Sequence, residues 1–169
     1  MGKSHKLYAL LIDLSLHPND VGFLAVNYAL LQKFDQYIRW NRKEQTTTTF
    51  ENKETRIKLE KEIENSCDLK LQLQAIRRSK KMNFWMNRGT TKLSSIHSFK
   101  GWEIQNLVLL IEKDTKVNED GESVHMDELI YTGITRCRNR LFILNFGNQV
   151  YHEFFMEHKN LFDQFENTW

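Results

Sequence analysis

SIHSFKGWEIQNLVLLIEKD, residues 95–114, sets two kinds of sequence side by side. Its second half holds Asn106-Leu107-Val108-Leu109-Leu110-Ile111, a continuous apolar run without alternation. A strand buried on both faces of a parallel sheet reads this way. Its first half breaks up the apolar pattern with a histidine, two serines, a lysine, a glycine and a glutamate, and reads as a loop that carries chemistry.

Working outward from this stretch, the pattern is regular from Thr91 onward. A strand over Lys92–Ile96 is followed by the polar loop, a strand over Leu107–Ile111 and an acidic loop over Lys113–Glu122. A helix over about Asp127–Arg138, a strand over Leu141–Asn145 and a terminal helix from Val150 complete it. Upstream, Leu7–Leu16 reads as a helix stopped at His17-Pro18-Asn19-Asp20, Gly22–Val26 as a short strand, and Tyr28–Arg42 as a helix with Leu30, Leu31, Phe34, Tyr37 and Ile38 at helical spacing. The threonine-rich Gln45–Phe50 has strand composition. Lys53–Asn65 reads as a surface helix anchored by Ile57, Leu59 and Ile63, and Asp68–Arg88 as a second helix. Strands alternating with helices imply right-handed crossovers, and the fold class is α/β with a mostly parallel sheet and helices on both faces.

Whole-chain properties narrow the function. The 169 residues, 40% of them hydrophobic, suffice for one domain with its own core. A net charge of +2 carries no bulk field for nucleic acid, so such a role must rest on local clusters. Cys67 and Cys137 form no CxxC pair, which argues against a disulfide framework and a zinc site and fits a reducing compartment; a cytoplasmic location is the expectation. No apolar stretch approaches the roughly 18 residues that span a bilayer, so no membrane partner is expected. Asn118-Glu119-Asp120-Gly121-Glu122 lacks the spacing of a calcium loop and reads as a solvated turn. Arg77-Arg78-Ser79-Lys80-Lys81 reads first as a solvated helix face, although Phe84, Trp85 and Met86 beside it would suit base stacking.

In open α/β sheets, ligands sit outside the carboxyl ends of the strands, where the polar loop is expected. Ser95, His97 and Ser98 offer neutral donors for phosphate oxygens, Lys100 adds charge, Gly101 permits close backbone approach, and Glu103 can accept from a ribose hydroxyl. Read singly, His97 serves equally well as a satisfied imidazole and Glu103 as a turn carboxylate. A second constellation is Tyr131-Thr132-Gly133-Ile134-Thr135-Arg136-Cys137-Arg138-Asn139-Arg140-Leu141. On a continuous helix, Arg136 and Arg140 fall one turn apart, with Thr132 one turn before Arg136, while Arg138 and Arg140 could simply complement the helix dipole.

Together the two stretches carry a resemblance. SIHSFKGWE resembles motif V of the UvrD/Rep-like superfamily 1 helicases, T-x-H-x-x-K-G-x-E, and YTGITRCRNRL is similar to their motif VI, Y-V-A-x-T-R-A-x-x-x-L. Order and intervening elements agree. The resemblance implies that residues 1–169 are a single second RecA-like domain of three layers, with a reduced, mostly helical insert region at 41–90 and a motif core at 92–145.

It further implies that Ser95, His97, Ser98 and Lys100 contact the backbone of single-stranded DNA. Gly101 and Glu103 contact the nucleotide, and Arg136 is the catalytic arginine finger. Trp102 and Cys137 depart from the family's leucine and alanine but stay apolar, and the arginine usual in the opening strand is missing around Ala25 and Val26. No G-x-x-x-x-G-K-[ST] occurs, and no catalytic aspartate-glutamate pair follows a strand. The resemblance therefore implies a C-terminal motor domain of an ATP-dependent DNA helicase or translocase. ATP with Mg2+ would be bound mainly by an N-terminal RecA-like domain of the same full-length protein, and this chain alone would be inactive. The alternative is a catalytically inert helicase-like module that binds nucleic acid or protein.

Overall fold

The computed structural model describes residues 14–113 and 125–161. Five strands, β1 (Val21–Ala25), β2 (Thr46–Thr48), β3 (Thr91–Ser95), β4 (Ile104–Glu112) and β5 (Cys137–Phe146), form one sheet in the order β2-β3-β1-β4-β5. Every pairing is parallel. Flanking it among the described residues are α1 (Tyr28–Tyr37), α2 (Lys53–Glu62), α3 (Ser66–Met82), α4 (Met126–Ile134) and α5 (Gln149–Glu157). The α/β three-layer class expected from the sequence is the observed one.

β1 is central, hydrogen-bonded to β3 on one side and β4 on the other. Successive residues of a strand point to opposite faces, so β1 and β4 feed two separate cores. One holds Phe23, Ala25, Val108 and Leu110 with Leu31, Phe34 and Ile38 from α1 and its extension. The other holds Leu24, Leu107, Leu109 and Ile111 with Phe84, Ile96, Phe99, Met126 and Ile130. Burial on both faces is what made the Leu107–Ile111 run continuous. Among the described residues, no helix is long and apolar enough to cross a membrane.

Several element ends differ from expectation. The helix from Tyr28 turns into a π-helix over Ile38–Arg42, closed by Lys43 in the left-handed region at φ 60°. The helix expected to reach Arg88 ends at Met82, because Phe84 leaves the helical path to become buried against Phe99 and Trp102. The helix expected to reach Arg138 ends at Ile134, and Cys137 to Arg140 belong to β5. Ladder bonding outweighs helical spacing there: the Ile104 amide donates to the Arg136 carbonyl, and Cys137 lies opposite Ile104. The polar Arg138-Asn139-Arg140 suits an exposed edge strand. Most of the expected helix Leu7–Leu16 lies outside the described residues, and Leu14 and Ser15 form a turn. The acidic loop beyond Lys113 and the turn at Asn118–Glu122 also lie outside them.

Candidate functional site

The motif that begins at Ser95 does not stay at one edge of the sheet. Ser95 pairs with Ala25, which pairs with Leu110 in β4, so Ser95 lies at the carboxyl edge. Ile104 lies opposite Cys137, where β4 and β5 begin. Residues 96–103 therefore cross β1 and run the height of the sheet without an α-helix. The Ile96 amide donates to the Ala25 carbonyl, a short 3-10 helix spans His97–Phe99, and Ile96 and Phe99 are buried as anchors. Gly101 at φ 92° supplies the left-handed turn after it, a conformation that favours glycine. A Cβ there would meet nothing within 4 Å, so the constraint is the backbone angle alone.

At the carboxyl edge, Ser95 is buried and its Oγ accepts the Ser98 amide at 3.2 Å, tying the start of the crossover to the strand end. Ser98 is half-buried, while His97, Lys100 and Gly101 are exposed. Of the expected backbone-contacting residues, Ser95 thus acts inside the fold, and His97 and Lys100 face outward.

Glu103 lies at the opposite, amino edge, which corrects the expectation that the whole loop sits at the carboxyl ends. Arg136 is its neighbour across the junction of β4 and β5, since the Ile104 amide bonds the Arg136 carbonyl at 2.9 Å. The Arg136 side chain folds against its own helix end, with Nε donating to the Thr132 carbonyl and Nη2 to Thr135 Oγ1, each at 3.2 Å. Gly133 lets α4 approach closely: a Cβ there would stand 2.9 Å from Leu109 Cδ1. Arg138 binds the Glu103 carboxylate, Nε to Oε2, at 2.7 Å, with side chains 60% and 46% exposed. Exposed pairs of this kind contribute roughly 0–1 kcal/mol, so a competing ligand could open it at small cost. Arg140 is on β5 opposite Asn106, not one helical turn from Arg136.

Two buried clusters lie outside the expected site, one unanticipated and one read as solvent-facing. Lys92, in β3 and fully buried, donates from Nζ to the Asn19 carbonyl and Oδ1, each at 2.7 Å. Burial lowers its pKa to about 8, against a smaller opposing pull from Asp20. Nearby, Asn106 Nδ2 donates to the Asp20 carbonyl. A lysine inside TTKLSS was the available signal, since a mid-strand lysine beside a buried partner strand must find an acceptor.

The second cluster corrects the solvated reading for Arg77 and Lys80 alone. Arg77 clamps the fully buried Glu51, Nε to Oε2 at 2.9 Å and Nη2 to Oε1 at 3.0 Å, and stacks over Tyr28 at 4.1 Å. Gln32 Nε2 donates to the same carboxylate. Lys80 donates to Thr48 Oγ1 at 3.1 Å, and burial lowers its pKa. Arg78, Ser79 and Lys81 remain exposed.

Among the described residues, no group of three histidine, cysteine, aspartate or glutamate side chains is placed to hold a metal ion. No family model, curated protein or solved structure matches the chain.

Proposed function

We propose that the chain is the second RecA-like domain of an ATP-dependent, UvrD/Rep-like DNA helicase or translocase. The observation that supports this reading is that the backbone bond from the Ile104 amide to the Arg136 carbonyl brings the segments carrying Glu103 and Arg136, from two motifs far apart in sequence, to one sheet edge. The same crossover presents His97 and Ser98 at the other edge. Such a domain would offer a carboxylate for a ribose and an arginine for the γ-phosphate on one side, and hydrogen-bonding groups for a single strand on the other. ATP and Mg2+ would be held mainly by an N-terminal RecA-like domain carrying the phosphate loop, with Gly101 letting the backbone approach the ligand.

Arginine fingers contribute roughly 10³–10⁵ in turnover by stabilising charge on the transferring phosphoryl group. In a protein uniting this chain with its phosphate-loop half, Arg136→Ala is expected to lower DNA-stimulated ATPase activity by about 10³ or more. Single-strand affinity should stay within a few fold. Retained turnover would refute the finger assignment. By itself the chain should bind Mg-ATP at about millimolar affinity or weaker, roughly 4 kcal/mol, in calorimetry.

One observation favours the second reading, an inert binding module: Arg136 bonds its own helix end and Glu103 bonds Arg138. A phosphate-loop motif in the same reading frame would decide for the motor.

A further inference from the structure

The small net charge of the chain hides a segregation. Residues 69–102 contain eight lysines and arginines and no aspartate or glutamate, so the remaining 16 basic side chains stand against all 22 acidic ones. This segment comprises nearly all of α3, the turn after it, β3 and most of the crossover. Seven of these eight cations, all but Lys70, divide by partner. Arg77 and Lys80 are committed to Glu51 and Thr48, and Lys92 to Asn19. Arg78, Lys81, Arg88 and Lys100 are exposed and pair with no carboxylate among the described residues.

Aromatic packing joins the two stretches that carry these cations. Phe84, buried just past the end of α3, packs edge-on against Phe99 at 6.1 Å and Trp102 at 6.2 Å between ring centroids. That contact fixes the end of α3, which bears Lys81 and Met82, and the turn after it, which bears Trp85 and Arg88, against the crossover bearing His97, Ser98 and Lys100. Trp85 next to this anchor is 59% exposed and Met82 76% exposed. A large exposed indole next to a buried phenylalanine anchor, in a segment rich in cations without carboxylate partners, supplies the two components of single-strand recognition: a stacking face and positive charges for phosphates.

We infer that the end of α3, its following turn and the crossover form one platform for single-stranded nucleic acid, with Trp85 stacking on a base and Arg78, Lys81, Arg88 and Lys100 following the backbone. The ligand class is shared with the motor reading, on whose nucleic-acid half the inference rests, but the platform needs no ATP and none of the nucleotide-facing residues. Stacking on an aromatic side chain is indifferent to base identity, so binding should show no sequence preference.

The test uses the full chain and fluorescein-labelled oligothymidylate, followed by fluorescence anisotropy at several salt concentrations. Trp85→Ala should weaken binding about tenfold and Trp85→Phe should retain most of it. Replacing Arg78, Lys81 and Arg88 by glutamine should flatten the log–log salt slope by about 2, at roughly 0.7 per phosphate on a single strand. Parental affinity in Trp85→Ala alongside loss in His97→Ala/Ser98→Ala would overturn the platform and leave the motif loop as the contact. Equal affinity for duplex DNA would overturn stacking. Binding to phosphatidylserine vesicles without binding to oligothymidylate would overturn it in favour of an anionic membrane surface. Trp85-dependent binding with no ATPase activity in the phosphate-loop-containing protein would support the platform and reject the motor.

Discussion

Arg77–Glu51 and Arg138–Glu103 are the same chemical pair in opposite surroundings. The first is bidentate, shared with Gln32, stacked on Tyr28 and closed to solvent at the carboxylate. The second is one contact between half-exposed side chains at the other edge of the sheet. Burial turns an ion pair into a fastener, because neither charge can return to water alone. Exposure leaves it exchangeable, because water replaces either partner. The difference separates a region that fixes α3 onto the core from one whose charged groups stay exchangeable with solvent.

The sharpest way to break this contrast is to remove one partner from each pair. Arg77→Ala should cost about 3 kcal/mol in urea unfolding, because Glu51 would stay buried with only Gln32 and the longer Arg56 contact at 3.9 Å to compensate its charge. Arg77→Met with Glu51→Gln should recover a large part of that loss. A loss below 1 kcal/mol for Arg77→Ala would erase the distinction.

Between the extremes stands Gly133, which sets how closely α4, and with it Arg136, approaches β4. The added methyl of Gly133→Ala meets Leu109, which is buried and has little room to retreat. Overpacking costs typically 1–3 kcal/mol, against about 1 kcal/mol of helix propensity gained, so a net loss of about 1 kcal/mol is expected in thermal or urea melts.

A subtler measurement compares pH profiles. Lys92 has its folded pKa lowered to about 8 from an ordinary 10.5. Between these values the unfolded chain holds the proton and the folded chain releases it, so the unfolded state binds more protons and stability rises with pH. The burial cost of the charged form is felt in full below pH 8. Lys92→Met should flatten the rise in stability between about pH 8 and 10.5; an unchanged profile would show that Lys92 stays charged there.

The smallest effect is expected at the exposed pair. Arg138→Ala or Glu103→Gln should change unfolding free energy by less than about 1 kcal/mol, with any Arg138–Glu103 coupling in a double-mutant cycle reduced by added salt.

What could be read in advance follows from the same physics. The run Leu107–Ile111 and the alternation of apolar segments displayed the sheet and its two cores because burial on both faces writes itself into composition. Cys137–Arg140 did not declare itself: an edge strand with a wet face has the polar makeup of a helix end, and only the ladder with Ile104 decides between them. Within the candidate site, residue types were legible but their placement was not. Ser95 and Glu103 read as neighbours in one loop, whereas the register of β3 and β4 puts them at opposite edges. The partners of Arg77, Lys80 and Lys92 were invisible because each is distant in sequence.

The crossover between β3 and β4 also has a length that is nearly used up. Ser95 is level with Leu110, which lies six residues along β4 from Ile104, a climb of about 20 Å; sideways, two strand spacings add about 9.6 Å. The straight path is then about 22 Å, while a chain from Ser95 to Ile104 that keeps its 3-10 turn reaches roughly 26 Å. So little slack means that deleting one or two residues would have to unwind the turn that presents His97, whereas an insertion would be absorbed as a bulge. Indel tolerance here should be one-sided: longer variants fold with the two edges decoupled, and shorter ones lose the turn first.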